Sequence, residues 1–320
     1  MPSKKHHYLP QFYVKGFTNN QAHVFVLNKS TGKINKQGKN GTFHKYKFYT
    51  VDFNKHKQRS PESAERMRKQ FGLEKVDTSG YIEYPDMIED LLGDSETASA
   101  PIIRKLIERK NITERERFEL STFIALMYTR NPLFHKFVSE IEEQRVNQGI
   151  KKMFENEENI KDMYNKILEE DYENEIDVQK ILDCVNEDRY KVKVPKELTV
   201  QMMLLGVTTI DKILYNKTWL ILEAPLLTSF ITSDQPVFMN HPIALEQGPF
   251  SVGVETQGVE VIFPISKELI LIMRKTPIKD DILYKKINRL EVRNLNKLIF
   301  SHSQRYIIAR DSDLIKNLMK

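Results

Sequence analysis

The spacing of apolar residues changes character twice along this chain. Between residues 20 and 50 it has the short period of strands. Val24-Phe25-Val26-Leu27 is followed by Asn28-Lys29-Ser30-Thr31-Gly32-Lys33, a loop with glycine where φ can turn positive. Ile34-Asn35-Lys36 then begins a return strand, so a hairpin is expected. Thr42 to Tyr49 alternates aromatic with basic or polar residues, the period of a half-exposed strand. Residues 54–70 are charged and read as a loop and a short helix. From about residue 84 the period becomes helical. Met87, Ile88, Leu91 and Leu92 form one stripe, with Pro85 suited to a first turn, and Ile102, Ile103, Leu106 and Ile107 form a second. Thr113 and Glu116 make a capping box that opens a helix through Phe118, Leu120, Phe123, Ile124 and Met127. It should stop near Arg130-Asn131-Pro132, because the residue before a proline resists the α region. Another helix is expected from Leu133 to about Asn147, ended by Gly149.

Residues 150–190 keep only a thin apolar stripe (Met153, Met163, Ile167, Ile181, Leu182) and read as an acidic helical insertion lobe. Pro195 opens a helix at about 196–215. Beyond it the spacing returns to strands: 219–223, 229–232, 236–239, 259–263 and 269–273, then a helix at about 289–300 and a strand at 306–309. Strands in succession with few helices between them imply an antiparallel or mixed sheet. The expected class is α+β: a basic N-terminal β-hairpin segment, a helical middle and a C-terminal sheet, as a single domain over 1–320 with 150–190 as its lobe.

Composition narrows the classes. The 320 residues are 40% hydrophobic and 10% aromatic, enough for a sizeable core. No run of 18 apolar residues suggests a membrane span, and Lys4, Lys5, His6 and His7 interrupt any apolar leader core. The single cysteine, Cys184, fits a reducing cytoplasm and reads as core filler. The net charge of +5 hides an asymmetry. Residues 1–75 carry 16 Lys and Arg against four acids, a net +12, so the remainder carries −7. Eleven aromatics interleave with those cations. Cations neutralise phosphates and aromatics stack on bases, so this part is expected to face nucleic acid.

Candidate chemistry sits at a few places. GxxxxGK[ST], GxGxxG, GxSxG, CxxC and HExxH are all missing, which argues against ordinary nucleotide-loop, hydrolase-elbow and zinc-finger readings. His6 and His7 open an aromatic, proline-marked segment (Tyr8, Pro10, Phe12, Tyr13). On a strand they point to opposite faces, so one histidine at most enters a given site as base, acid or ligand. Thr232-Ser233-Asp234-Gln235-Pro236 ends an apolar strand and reads either as a polar turn or as a site. Arg130 either clamps a phosphate or complements a helix end. Glu89 and Glu96 would share a face if their helix were continuous, with Gly93-Asp94 weakening that continuity.

The run His6-His7-Tyr8-Leu9-Pro10-Gln11-Phe12-Tyr13, the hairpin around Lys29-Ser30-Thr31-Gly32, Arg130-Asn131-Pro132, Ser233-Asp234-Gln235-Pro236 and Phe263-Pro264-Ile265-Ser266 occur in an order that resembles the family known as domain of unknown function 4238. Glu89 and Glu96 fall where the family carries helical glutamates, and Met127 departs from an expected glutamine. The likeness spans nearly the whole chain, least of all residues 150–190. Members occur among bacterial anti-phage defence genes, so the resemblance implies a defence or toxin-like role and supplies no reaction.

The resulting expectation is a cytoplasmic defence effector acting on DNA or RNA as a metal-assisted phosphodiesterase. His6 or His7 would be base or ligand, and Glu96 and Asp234 catalytic. Asp234 and Glu89 would hold a divalent ion. Arg130, Ser233, Lys5 and Tyr8 would meet the substrate. The alternatives are a non-catalytic sensor of nucleic acid or a phage protein, and a nucleotide hydrolase or transferase.

Overall fold

The structure, a computed structural model, describes residues 5–38, 43–50, 69, 87–154, 178–276 and 282–320. They form two compact units, Met1–His135 with Val200–Lys320, and Lys136–Thr199. In chain order come β1 (Lys5–His7), α1 (Gln11–Lys15), β2 (His23–Asn28), β3 (Lys33–Gly38) and β4 (His44–Tyr46). Next are α2 (Met87–Ile107), α3 (Glu114–Thr129), α4 (Pro132–Phe154), α5 (Val178–Asn186) and α6 (Lys196–Asn216). The remainder is β5 (Thr218–Glu223), β6 (Thr232–Ser233), β7 (Phe238–Asn240), α7 (Pro242–Gln247), β8 (Glu260–Pro264), β9 (Leu269–Arg274), β10 (Leu283–Lys286), α8 (Arg289–His302), β11 (Tyr306–Ala309) and α9 (Ser312–Leu318). The class is α+β.

In the larger unit β10-β5-β9-β8-β7 form a five-stranded sheet, antiparallel except where β10 runs parallel to β5. A second sheet, β3-β2-β11-β6, is antiparallel throughout. Its β2–β3 pair is the expected hairpin, turning through Gly32 at φ +67°. The apolar strands of the larger sheet are covered on both faces, which explains why β9 reads as an unbroken hydrophobic run. Ile221, Val261, Phe263, Leu271 and Met273 point into one core with Leu120, Phe123, Ile124 and Met203 from α3 and α6. Leu222, Ile262, Ile270 and Ile272 point into the other with Val292, Ile299 and Ile307.

The sheet ends hold the N-terminal segment in place. The buried Tyr13 hydroxyl donates to the Pro264 carbonyl at 2.8 Å and shares a 2.7 Å hydrogen bond with Thr232 Oγ1. Gly16 accepts from Lys267 N–H at 3.0 Å, and a Cβ there would lie 3.1 Å from the Tyr13 oxygen and 3.3 Å from that of Ile265. Glycine is what permits this close approach. Phe263-Pro264-Ile265-Ser266 is therefore the seat of α1.

Three expectations change. The two apolar stripes after residue 84 lie on one helix, α2, which continues through Gly93 and Pro101. Glycine costs a helix about 1 kcal/mol, less than the buried face of Ile88, Leu92, Ile102, Ile103 and Leu106 supplies. The next helix, α4, runs past Gly149 to Phe154. The polar strand β10 and the short helices α7 and α9 carry too little periodicity to announce themselves. Pro85, residues 54–68 and the heart of the acidic stretch, 155–177, lie outside the described residues.

The smaller unit contains most of α4, then α5, with Lys151 and Asp188 paired at 2.8 Å. Cys184 is half-buried on α5. Lys196–Asn216 is long and apolar enough to cross a membrane by length and composition, and Val200, Met203 and Leu214 on it are buried.

Candidate active site

β1 pairs antiparallel with β4, so Lys5 faces Tyr46, His6 faces Lys45 and His7 faces His44. The two-residue period of a strand then divides this ribbon into two faces. His6 turns inward and is fully buried. Its Nδ1 accepts the Tyr49 N–H at 3.0 Å, and its ring stacks on that of Tyr49 with centroids 5.9 Å apart. An accepting Nδ1 places the ring proton on Nε2. The 3.8 Å approach of the same Nδ1 to Glu89 Oε2 is therefore proximity rather than a charge-assisted bond. His7 turns outward and is half-buried, as the alternation predicts for one of the pair. Lys5, His7, His44 and Tyr46 share that outer face. The His7 and His44 rings are 5.6 Å apart and tilted by 57°, and Tyr46 is 67% exposed. Lys47 Nζ lies 5.8 Å from the Tyr46 ring and Lys45 Nζ 4.9 Å from that of Phe48.

α2 supplies the opposite wall. Glu89, Gly93, Glu96, Thr97 and Ala100 lie along one helical stripe and line a cleft of about 430 Å³ with His7, Gln11 and Phe12. Among the described residues nothing beyond its own helix backbone and chain neighbours lies within 4 Å of a Cβ built on Gly93, so the glycine leaves space open between the two glutamates. Pro101 has no amide hydrogen, so the Thr97 carbonyl on this wall lacks its usual helical donor. The Glu89 and Glu96 side chains are 24% and 26% exposed.

Arg130 holds the two walls together. It caps the C-terminal end of α3 and its side chain is wholly buried. Its Nε donates to the Tyr8 carbonyl at 3.0 Å, and its Nη2 donates to the His7 carbonyl at 3.0 Å and to Glu96 Oε1 at 2.8 Å. Nη1 makes no hydrogen bond among the described residues. The Tyr49 hydroxyl donates to the carbonyl of Arg130 itself at 2.7 Å. Arg130 was expected to meet a phosphate. Its side chain is buried, and its Nε and Nη2 are taken by the Tyr8 and His7 carbonyls and by Glu96, which ties the β1 segment to α2. Burial, with smaller contributions from His44, Arg130, Lys5 and His6, holds the His7 imidazole below its ordinary value. The result is a ring held neutral near neutral pH, the form in which an imidazole can serve as a base.

The second motif is built differently. Asn131, next to Arg130, donates to the Asp234 carbonyl and accepts the Leu133 N–H at 2.8 Å. Ser233 Oγ is fully buried, accepting the Gln235 N–H at 3.1 Å and donating to the Gln235 carbonyl at 2.9 Å. Asp234 accepts the amides of Gln304 at 3.1 Å and Arg305 at 2.9 Å, tying β6 to the start of β11. Burial raises its carboxyl above the usual value, and these amide bonds pull the other way. Tyr8 is buried edge-on to Phe43 with centroids 6.2 Å apart. Hence the structure gathers His6, His7, Glu89, Glu96 and Arg130, with Lys5 on the adjoining face. It turns the side chains of Ser233, Asp234 and Tyr8 into the protein. Among the described residues no three His, Cys, Asp or Glu side chains could hold a metal ion together.

His44 is the site residue that sequence reasoning passed over. Its neighbours Lys45 and Tyr46 marked a basic-aromatic strand, but only the β1–β4 register sets it beside His7.

A family model described as protein of unknown function (DUF4238) matches residues 5–313. No curated protein and no solved structure matches the chain.

Proposed function

The chain belongs to the DUF4238 family of proteins of unknown function, and we propose that its cleft is the acid–base site of a nucleic-acid phosphodiesterase serving anti-phage defence. The observation that carries this reading is the placement of His7. It faces a cleft with two glutamates on one side and an exposed face of Lys5, His44 and Tyr46 on the other. A strand of nucleic acid laid on the ribbon would stack a base on Tyr46 and set a phosphate against Lys5. His7, neutral, takes the proton of the attacking oxygen, and Glu96, held by Arg130, lines the same cleft.

The test is to incubate the purified protein with labelled DNA and RNA beside His7→Ala and Glu96→Gln variants. Strand scission by the wild type, lost by about 100-fold or more in His7→Ala, is the expected outcome. Intact strands in every lane would end the reading. The exposed Lys5 and Tyr46 also favour a second reading, a sensor that binds nucleic acid without cutting it. Salt-sensitive binding that survives His7→Ala, with no scission, would select that one.

A further inference from the structure

Resting on the phosphodiesterase reading, we infer that the substrate is RNA, cut by its own 2′-hydroxyl with His7 and His44 as the paired base and acid. Two observations lead there. Two half-buried imidazoles share one face of the ribbon, with centroids 5.6 Å apart and planes tilted by 57°. An exposed aromatic, Tyr46, and a cation, Lys5, share the face.

Hydrolysis of DNA needs water as the nucleophile, and an ion bound by several carboxylates or histidines is the usual way to activate it. RNA carries its nucleophile within the strand, the 2′-hydroxyl on the carbon next to the one that bears the 3′-phosphate. Two histidines then suffice. His7 removes the proton from the 2′-hydroxyl, the 2′-oxygen bonds to phosphorus, the P–O5′ bond breaks, and His44 delivers a proton to the departing 5′-oxygen. One proton is taken and one is given. Nothing is oxidised or reduced, and no co-reactant is consumed. The products are a 2′,3′-cyclic phosphate and a 5′-hydroxyl.

Burial and its neighbours keep His7 neutral, which suits the base. The acid role falls to His44, the other ring of the pair. Lys5 and Lys47 would meet the phosphate, and Glu89 and Glu96 line the cleft that His7 also lines. His6, buried on the other face with Nδ1 committed to Tyr49, takes no part.

The experiment uses the full chain and three single strands of one sequence: RNA, DNA, and DNA carrying a single ribonucleotide. Each is incubated in EDTA and in magnesium, and the new ends are identified. Cutting of RNA in EDTA, and of the chimera only after its ribonucleotide, is expected, with cyclic-phosphate and 5′-hydroxyl ends. His44→Ala and His44→Gln, each checked for folding by circular dichroism, should both lose about 100-fold or more in rate. Scission of DNA at the rate of RNA, 5′-phosphate ends, scission only with magnesium, or undiminished rates in both folded His44 variants would overturn the inference and leave the phosphodiesterase reading standing. Intact strands in all lanes would overturn both.

Discussion

The polar groups at the end of β1 and those at the end of β6 occupy similar places, on short strands tied to the same large unit. They spend their hydrogen-bonding capacity differently. At β6, Ser233 closes on Gln235, Asp234 reaches the amides of Gln304 and Arg305, and both side chains are buried. That motif fastens one strand to the next. At β1 the inward residue, His6, is committed to Tyr49, while His7 and the two glutamates of α2 open onto a cleft. Arg130 and Asn131 stand between the two, one aiming Glu96 and the other holding the Asp234 carbonyl. A cluster closed on itself is architecture, and one whose members line an open cleft is placed to act on something else.

Removing the shared support should do most damage. Arg130→Ala leaves Glu96 without its partner and two backbone carbonyls without a donor, so urea denaturation should show a loss of about 3–5 kcal/mol. A loss below about 1 kcal/mol would mean that the cleft and β1 are not held by this guanidinium. A third histidine separates burial from function. His135, packed on the Phe48 ring with centroids 4.7 Å apart, is pushed down by burial to about 4. It stays neutral in the fold while the unfolded chain takes up a proton near pH 6.5. Its contribution is intact above that pH and is lost as pH falls toward 4, about 3 kcal/mol in all. Denaturation curves at pH 7 and pH 4.5 should therefore converge in His135→Leu relative to wild type, and an unchanged gap would remove this account of the histidine.

Asp234→Ala removes the acceptor of the Gln304 and Arg305 amides and should cost about 1–2 kcal/mol, with activity per folded molecule retained. If activity vanishes while stability holds, the closed motif is part of the chemistry and the contrast collapses. The smallest effect belongs to the ribbon. Lys5→Gln should lower the salt slope of RNA binding by about 0.7, the contribution of one phosphate contact on a single strand, measured by fluorescence anisotropy.

Parts of this were legible in the residues. The period of two already required His6 and His7 to part company, and Thr113 with Glu116 announced the start of α3, where both halves of the capping box are formed. The glutamate pair was half-legible. Their spacing of seven fits one helical face, but Gly93-Asp94 argued for a break that the buried side of α2 overrides. What could not be read was the pairing of β1 with β4, since strand register over a long separation leaves no local trace. His44 was hidden for that reason. The roles of Asp234 and Arg130 were equally closed to inspection, because a carboxylate or guanidinium looks the same in sequence whether its partners are amides inside the protein or a ligand outside it.

The central claim is that His7 acts and does not merely support. The direct measurement is the cleavage rate of labelled nucleic acid by wild type and His7→Ala, alongside their melting temperatures. The account predicts a loss of about 100-fold or more in rate with stability changed by less than about 1 kcal/mol. A His7→Ala protein that melts like wild type and cuts as fast, or a wild type that cuts nothing, would contradict it.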